Sequence, residues 1–377
     1  MANTITGLIP DLYESMDIVS RELVGFIPAV SRDHAVARAA VGQQVRSFVV
    51  PAAVASDITP GVTPPNDGDQ VIGNMPMTIT KSRRVPIRIN GEESLALSSG
   101  PGYSSVRVNQ IAQAMRALTN EVEADVAAIF QYSSRGYGTP GTTPFATSLS
   151  DTAQARKILA DNGAPMTDLQ LVINTAAGAN LRALAQLNRA NEAADTSLLR
   201  QGVLLDIHGF QIRESAQVKT NVKGTGASYV TSGVSAVGAT SITLATGTGT
   251  ILATDMITFA GDPNKYSVVT GVSAPGVVTI AAPGLLTSAA SGVAVTVVNS
   301  AAQNMAFART AIALATRLPA LPEGGDMAAD RTVITDPRSG LSFEVALYRQ
   351  YRQIQYEISL AWGVAIQKRE HLVILQG

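Results

Sequence analysis

Residues 221–300 constrain the fold more than any other part of this 377-residue chain. The chain carries 28 Lys or Arg and 29 Asp or Glu, yet only Lys223, Asp255, Asp262 and Lys265 fall in this stretch. Thr, Ser, Gly, Ala and Val dominate the remainder, a composition that does not sustain helix. Short apolar runs recur near 239–245, 255–260, 266–272, 276–281 and 292–298, with turn residues between them. The pattern predicts an all-β module. Helical signals precede and follow it, so it reads as an insertion in a mixed α/β chain.

Upstream, Leu12, Met16, Val19 and Leu23 recur at helical spacing and predict a helix over 11–24, with Asp11 as its N-cap and Gly25 and Pro28 ending it. A second short helix is expected over 32–41. The character changes at 48–98. Pro51, Pro60, Pro64 and Pro65 share a polar stretch with Gly61 and Gly68, and then Met75, Met77, Ile79, Val85, Ile87 and Ile89 alternate with polar residues. Period two means strand with one wet face. The segment reads as a long extended excursion whose two arms of about 20 residues could each span roughly 65 Å. A lone hairpin of that kind is marginal in water, so it is expected to lie on something else.

Val108, Ile111, Met115, Leu118, Val122, Val126 and Ile129 recur every three or four residues and predict one long helix over 103–133. At 1.5 Å per residue such a helix is about 45 Å long and needs a surface along its length. Beyond it lie a Gly/Pro/Thr loop over 134–149, a helix over 151–162 capped by Ser150 and Asp151, and a buried strand over 169–173. A helix near 176–188 and a strand-turn-strand through His208 and Gly209 follow. After the β module, 306–316 reads as helix and 341–360 and 361–375 as strands.

Net charge is −1 and the pI about 6.3. That argues against a basic face gripping phosphates and leaves little charge to hold copies apart. There is no cysteine, which removes disulfides, thiolate metal sites and cysteine nucleophiles together. His34, His208 and His371 lie far apart, and none forms a metal-type pair. No Gly-x-Ser-x-Gly elbow occurs. Gly224-Thr225-Gly226 and Gly247-Thr248-Gly249 do not continue as phosphate-binding motifs, and turns explain them better. Glu121 and Asp125 share a helix face, read as a solvated face or an intersubunit ion pair. Asp255 and Asp262 flank a strand where a structural ion is conceivable, although turns favour Asp anyway. The sequence therefore assigns no catalytic residue, no metal site and no cofactor, and does not read as an enzyme. Asp11, Glu14 and Asp17 break any signal-peptide run, and no membrane span is expected.

The densest local charge is Lys81, Arg83, Arg84 and Arg88. No aromatic is interleaved to stack a base, so nucleic-acid binding is the weaker reading. Pairing with a neighbouring chain is preferred, with Glu92 and Glu93 supplying the opposite sign. These six residues are the candidate intersubunit contacts.

The order of parts resembles the major coat proteins of tailed bacteriophages, and more narrowly the coat protein family of short-tailed lambdoid phages. The residues carrying this are LIPDLYES at 8–15, DMITFAG at 255–261 with YSVVT at 266–270, NMAFARTAIALATR at 304–317 and DPRSGLS at 336–342. The resemblance implies an α+β chain of the Hong Kong 97 type capsid fold: an N-terminal arm over 1–47, an extended loop over 48–98, and a spine helix with the first part of the peripheral and axial domains over 99–221. A barrel-like inserted β domain would occupy 222–300, and 301–377 would complete the axial and peripheral domains. It implies a structural subunit that forms pentamers and hexamers tiling an icosahedral head around double-stranded DNA, contacted weakly and non-specifically. A separate scaffolding protein, a procapsid that expands, a portal protein at one vertex and room for a decoration protein are further implications, as are assembly in the host cytoplasm and residence in the virion. Competing readings are an encapsulin-like compartment shell and an extracellular adhesin or carbohydrate-binding protein. The absence of a signal peptide, the long helix and the single Trp362 weigh against the adhesin.

Overall fold

The computed structural model describes residues 24–50, 53, 55–64, 68–98, 103–188, 206–336 and 339–377. The helix expected over 11–24 lies, but for its last residue, outside them. The described chain opens with a single turn, α1 (Phe26–Ala29), then β1 (Ser31–Ala39), β2 (Gln44–Val49), β3 (Gly73–Thr78) and β4 (Lys81–Asn90). The short helix expected over 32–41 is therefore strand β1. Next come α2 (Gly91–Ser98) and α3 (Tyr103–Ala127), which runs on as a 3-10 turn over 128–132, so the long helix is present as expected.

The middle of the chain supplies β5 (Arg135–Tyr137), α4 (Ser150–Asp161), β6 (Leu169–Ile173), α5 (Thr175–Ala183), α6 (Ala185–Asn188) and β7 (Phe210–Glu214). The single helix expected over 176–188 is broken at Leu184, whose backbone is extended. The expected cap of α4 is absent: no side chain caps its N-terminus, and Asp151 instead accepts the Phe145 N–H at 2.8 Å. The strand-turn-strand at 202–212 survives as a bridge between Ile207 and Phe210, with 202–205 outside the described residues.

The β-rich stretch holds β8 (Tyr229–Thr231), β9 (Ser241–Ala245), β10 (Met256–Phe259), β11 (Lys265–Thr270), β12 (Val277–Ile280) and β13 (Ala294–Val297). After it come β14 (Gln303–Ala308), β15 (Ile312–Pro319), β16 (Ala328–Thr335), β17 (Ser342–Gln350), β18 (Gln353–Ile366) and β19 (Leu372–Gln376). The helix expected over 306–316 is thus two strands. All of β14 and all of β15 but Pro319 are buried. A strand covered on both faces has no alternation, and its continuous apolar run cannot be told from buried helix by period.

One sheet is built on β18. β4 pairs with it antiparallel from Asn90 opposite Gln353 to Lys81 opposite Trp362. On the other edge β17 pairs along 353–359 and β15 along 361–366. β16 flanks β17, and β1 flanks β15 in parallel. Helix α3 lies across β4 and β18 and buries Ile111, Met115, Leu118, Val122 and Val126 in one core with Leu347, Ile358, Leu360 and Trp362. The long helix thus finds its surface, and the wet alternation of β4 finds its backing.

The second sheet runs β7-β6-β14-β19-β5 and is covered by α4 and α5, with Leu159, Leu171, Leu181 and Val373 in its core. Through β5 it meets β11. Strands β10, β13, β8, β9, β12 and β11 pair in that order, all antiparallel, and β11 pairs back to β10. The six strands therefore close on themselves, which removes free edges. Inside lie Tyr229, Ile242, Leu244, Ile257, Phe259, Val268 and Ile280. Asn221 and Ala301 sit side by side at the stem: the Asn221 N–H donates to Ala301 O at 3.3 Å, and Asn221 Oδ1 accepts the Ala301 N–H at 2.9 Å. Among the described residues no helix is long and apolar enough to cross a membrane.

Candidate assembly surface

The period-two alternation of β3 and β4 places their apolar side chains toward the body, and what precedes them has no such backing. β2 and β3 form a hairpin from Gln44 opposite Thr78 to Val49 opposite Gly73. Beyond it, every described residue from 53 to 74 is exposed. Phe48 is 82% exposed, Ile58 98% and Val71 86%, and Val50, Val62 and Ile72 are exposed too. An isolated two-stranded hairpin with bare apolar side chains is not self-supporting in water.

The root of this arm is tightly held. Gly42 N–H donates to Ile79 O and the Ile79 N–H to Gln43 O, both at 2.9 Å. The Thr80 N–H donates to Trp362 O at 3.0 Å. Gly363 passes so close beneath Thr78 that a Cβ there would lie 2.0 Å from the Thr78 carbonyl oxygen. Buried Ile79 packs with Met77, Ala313, Ala315 and Ala361.

The charged residues singled out in sequence gather around that root. Lys81 Nζ donates to Asp125 at 2.8 Å and Glu121 at 3.2 Å, and Arg83 Nε reaches the same Glu121 oxygen at 3.2 Å. Burial works against the Lys81 charge, but these hydrogen bonds outweigh it and hold the ammonium above the ordinary lysine value. Asp125 also accepts the Trp362 indole N–H at 2.8 Å, and Lys81 lies 5.9 Å from the Trp362 ring centre. Arg84 pairs with Glu357 at 2.6 Å across β4 and β18. Glu93 and Asn90 cap the start of α2 reciprocally: Glu93 accepts the Asn90 N–H at 3.0 Å, and Asn90 Oδ1 accepts the Glu93 N–H at 2.7 Å. Lys81, Arg83, Arg84 and Glu93 thus have partners inside their own chain. Among the described residues Arg88 and Glu92 are exposed and have no ion-pair partner.

Two carboxylates that sequence reasoning missed organise the rest. Glu123, on α3 and 1% exposed, accepts the N–H groups of Gly25 (2.7 Å), Phe26 (2.7 Å) and Ile27 (2.9 Å) and the Ser215 hydroxyl (2.8 Å). Burial pushes its carboxyl up despite those four donors. The signal was its place in the row Thr119, Glu123, Ala127, which flanks the apolar stripe and is buried with it. Glu344, on β17 and equally buried, takes both guanidinium nitrogens of Arg38 (2.9 and 2.7 Å) and one of Arg331 (2.9 Å). It ties β1 and β16 to the sheet at the point where β15 gives way to β17.

The remaining sequence candidates have structural roles. Asp255 is buried and accepts the Gly224 N–H at 3.0 Å and the Leu252 N–H at 2.8 Å, which fastens the barrel stem. Asp262 accepts the Tyr266 hydroxyl at 2.6 Å and both N–H groups of Asn264. Protein donors occupy the places where an ion was conceivable. Among the described residues no group of three or more acidic or histidine side chains could hold a metal. Thr152 Oγ1 and His208 Nδ1 lie 2.7 Å apart, with Thr152 wholly buried and His208 exposed.

No family model and no curated protein matches the chain. Solved structures do. The capsid of cyanophage P-SCSP1u is 13% identical over 91% of this chain and 86% of that one, with a TM-score of 0.47. The mature capsid of bacteriophage PhiM1 is 11% identical over 93% and 86%, at 0.49. A virus-like particle from Pyrococcus furiosus is 12% identical over 98% and 99%, at 0.47.

Proposed function

We propose that this chain is a shell-forming subunit, the major capsid protein of a tailed bacteriophage with the Hong Kong 97 type fold. The observation that carries the reading is the arm. A segment over 53–74 whose described residues are all exposed, bearing Ile58, Val62, Val71 and Ile72, has its natural cover on a second copy. The arm springs from one end of β4, while α2 and the hairpin joining β17 to β18 stand at the other. A contact between unlike surfaces of identical copies is head-to-tail, and such contacts form rings when the rotation from copy to copy closes.

Residues 1–47 then act as the N-terminal arm, 48–98 as the extended loop, α3 as the spine, and 99–221 with 301–377 as the peripheral and axial domains around an inserted barrel at 222–300. Pentamers and hexamers tile an icosahedral head around double-stranded DNA. The near-zero net charge leaves the inner wall a weak, non-specific hold on the genome. Assembly proceeds in the host cytoplasm on a separate scaffolding protein, with a portal at one vertex, and expansion is a rearrangement of packed elements. Arg88 and Glu92 are the charges left to face a neighbour.

Negative-stain electron microscopy of the full chain, co-expressed with its candidate scaffold, tests this. Closed icosahedral shells much larger than a compartment cage are expected. Monomers and small oligomers alone, with scaffold present, would overturn the reading.

A further inference from the structure

A cavity of about 320 Å³ lies where the barrel meets the second sheet. The loop over 136–151 forms one side, Pro263 and Lys265 of the barrel another, and Gln376 of β19 a third. Small-molecule sites run from about 300 to 1,000 Å³, so this one has room for a small ligand. Its lining is rich in hydroxyl groups, with Thr142, Thr143, Ser148 and Ser150 among its residues. The barrel and the body each supply part of it, and β11 and β5 join the two beside it, with Lys265 opposite Gly136.

Donors without acceptors border this cavity. Lys265 is half-buried, and its Nζ donates to Gly138 O and to Gln376 Oε1, the latter at 3.1 Å. An ammonium has three N–H groups, so one is left over. Among the described residues no carboxylate pairs with it. Burial pushes its pKa below the ordinary lysine value, and no neighbouring charge opposes that. Gln376 is wholly buried. Because an ammonium only donates, the Gln376 amide must turn its oxygen toward Lys265. That leaves Gln376 Nε2, a buried donor, with no hydrogen-bond partner. Such groups are rare in folded chains, because an unmade hydrogen bond in a dry site is costly. The start of α4 reaches the same cavity through Ser150 and Asp151, and no side chain caps it. Asp151 is the one acidic side chain in the lining, and its Oδ2 already accepts the Phe145 N–H at 2.8 Å.

We infer that this cavity binds a small oxyanion, a phosphate or carboxylate group, between the Lys265 ammonium, the Gln376 amide and the start of α4. The ammonium, the amide N–H and the helix start all ask for the same thing, an acceptor that carries negative charge. Lys265 and Gln376 already touch, so an oxygen that meets the free ammonium N–H lies beside the amide as well. The hydroxyl groups of the lining then serve the remaining oxygens, since a hydroxyl can donate to any of them. A cation gains nothing from the ammonium, and an apolar ligand leaves both donors unpaired. Bound there, the anion touches barrel and body at once and so fastens one to the other. The inference does not depend on the shell reading.

The test is isothermal titration of the full chain with sodium phosphate and, separately, sodium acetate, against sodium chloride at matched ionic strength. Saturable binding of one anion or both is expected, with chloride giving none. Phosphate alone marks a phosphate-bearing ligand, acetate alone a carboxylate, and both together the oxyanion in general. Lys265→Met removes the ammonium. Gln376→Glu keeps the shape of the site but gives Lys265 a carboxylate of its own, so the place of the anion is taken from within. Each is expected to weaken binding at least about tenfold, because a hydrogen bond to a charged group is worth that much. Lys157→Met, which removes an exposed lysine elsewhere on α4, should bind like the parent. Circular dichroism confirms that the variants fold, and if Lys265→Met does not, Gln376→Glu decides alone. No saturable binding of either anion, parent-like binding in a folded Lys265→Met or Gln376→Glu chain, or an equal loss in Lys157→Met would overturn the inference.

Discussion

Glu123 Oε1 accepts the backbone N–H of Phe26 at 2.7 Å, across 97 residues of sequence. The same carboxylate holds Gly25, Ile27 and Ser215, so the point where the N-terminal segment joins the body is fixed by one buried side chain. Removing it by Glu123→Ala strands four donors in a dry site. The expected cost is about 2–4 kcal/mol, because a buried unpaired donor costs about 1–3 kcal/mol and water relieves part of it. Urea unfolding measures it, and a loss below about 0.5 kcal/mol, the range of ordinary surface changes, would contradict the anchor.

The same residue sets a pH dependence. Burial raises its native pKa above the ordinary glutamate value of 4.5. The native chain then keeps a proton that the unfolded chain has released. Its contribution is fully present below about pH 4.5 and is lost as pH rises through the native value. The stability difference between parent and Glu123→Gln should therefore favour the parent more at acid pH than at neutral pH. A difference that does not vary with pH would refute the assignment.

Asp125 accepts the indole N–H of Trp362, the one tryptophan of the chain, and the Lys81 ammonium. Asp125→Ala leaves the indole donor buried without a partner, at an expected cost of about 1–3 kcal/mol. Asp125→Asn keeps an acceptor for the indole and should lose less. Tryptophan fluorescence reports the site directly during unfolding. Equal losses in the two variants would show that the indole bond does not matter.

Glu344 and Glu357 both pair with arginine, and burial separates them. The Glu344 side chain is 3% exposed beneath Arg38 and Arg331, while Arg84, opposite Glu357, is 59% exposed. Glu344→Ala takes the carboxylate from Arg38 and one of the two carboxylates from Arg331, which keeps Asp326, and is expected to cost about 1.5–3 kcal/mol. Arg84→Ala is expected to cost under about 1 kcal/mol, since water and salt screen the pair. Thermal unfolding of the two variants side by side checks the ranking, and a reversed order would refute it.

Replacing residues 50–72 with a short turn removes the exposed arm and leaves the pairing of β2 with β3 in place. Because the described residues over 53–74 are exposed, the unassembled subunit should keep its stability within about 0.5 kcal/mol, as surface changes usually do. Assembly, read by light scattering, should be lost. Normal shells from this variant would remove the arm from the contact.

Much of the fold was legible because its signals are local. The stripe from Ile111 to Ile129 needs only helical period, and the alternation from Met75 to Ile89 needs only strand period. The β module was legible from turn residues between short apolar runs, each within a few residues of the next. β14 and β15 were misread because both faces of each are covered, so Met305, Phe307, Ile312 and Leu314 carry no period to read. β1 was misread because its conformation comes from lying parallel to β15, more than 270 residues away.

The sequence by itself determined which residue types each segment could hold inside and out, and it placed the basic group Lys81, Arg83, Arg84 and Arg88 on a strand beside open water. Only the tertiary structure decided their partners. Lys81 meets Asp125 because β4 pairs with β18 and α3 crosses both, and Glu123 meets Phe26 because the chain returns to the same helix. Periodicity is fixed by backbone geometry within one element. An ion pair or a buried carboxylate is fixed by the meeting of elements far apart in sequence, and no local pattern encodes that meeting.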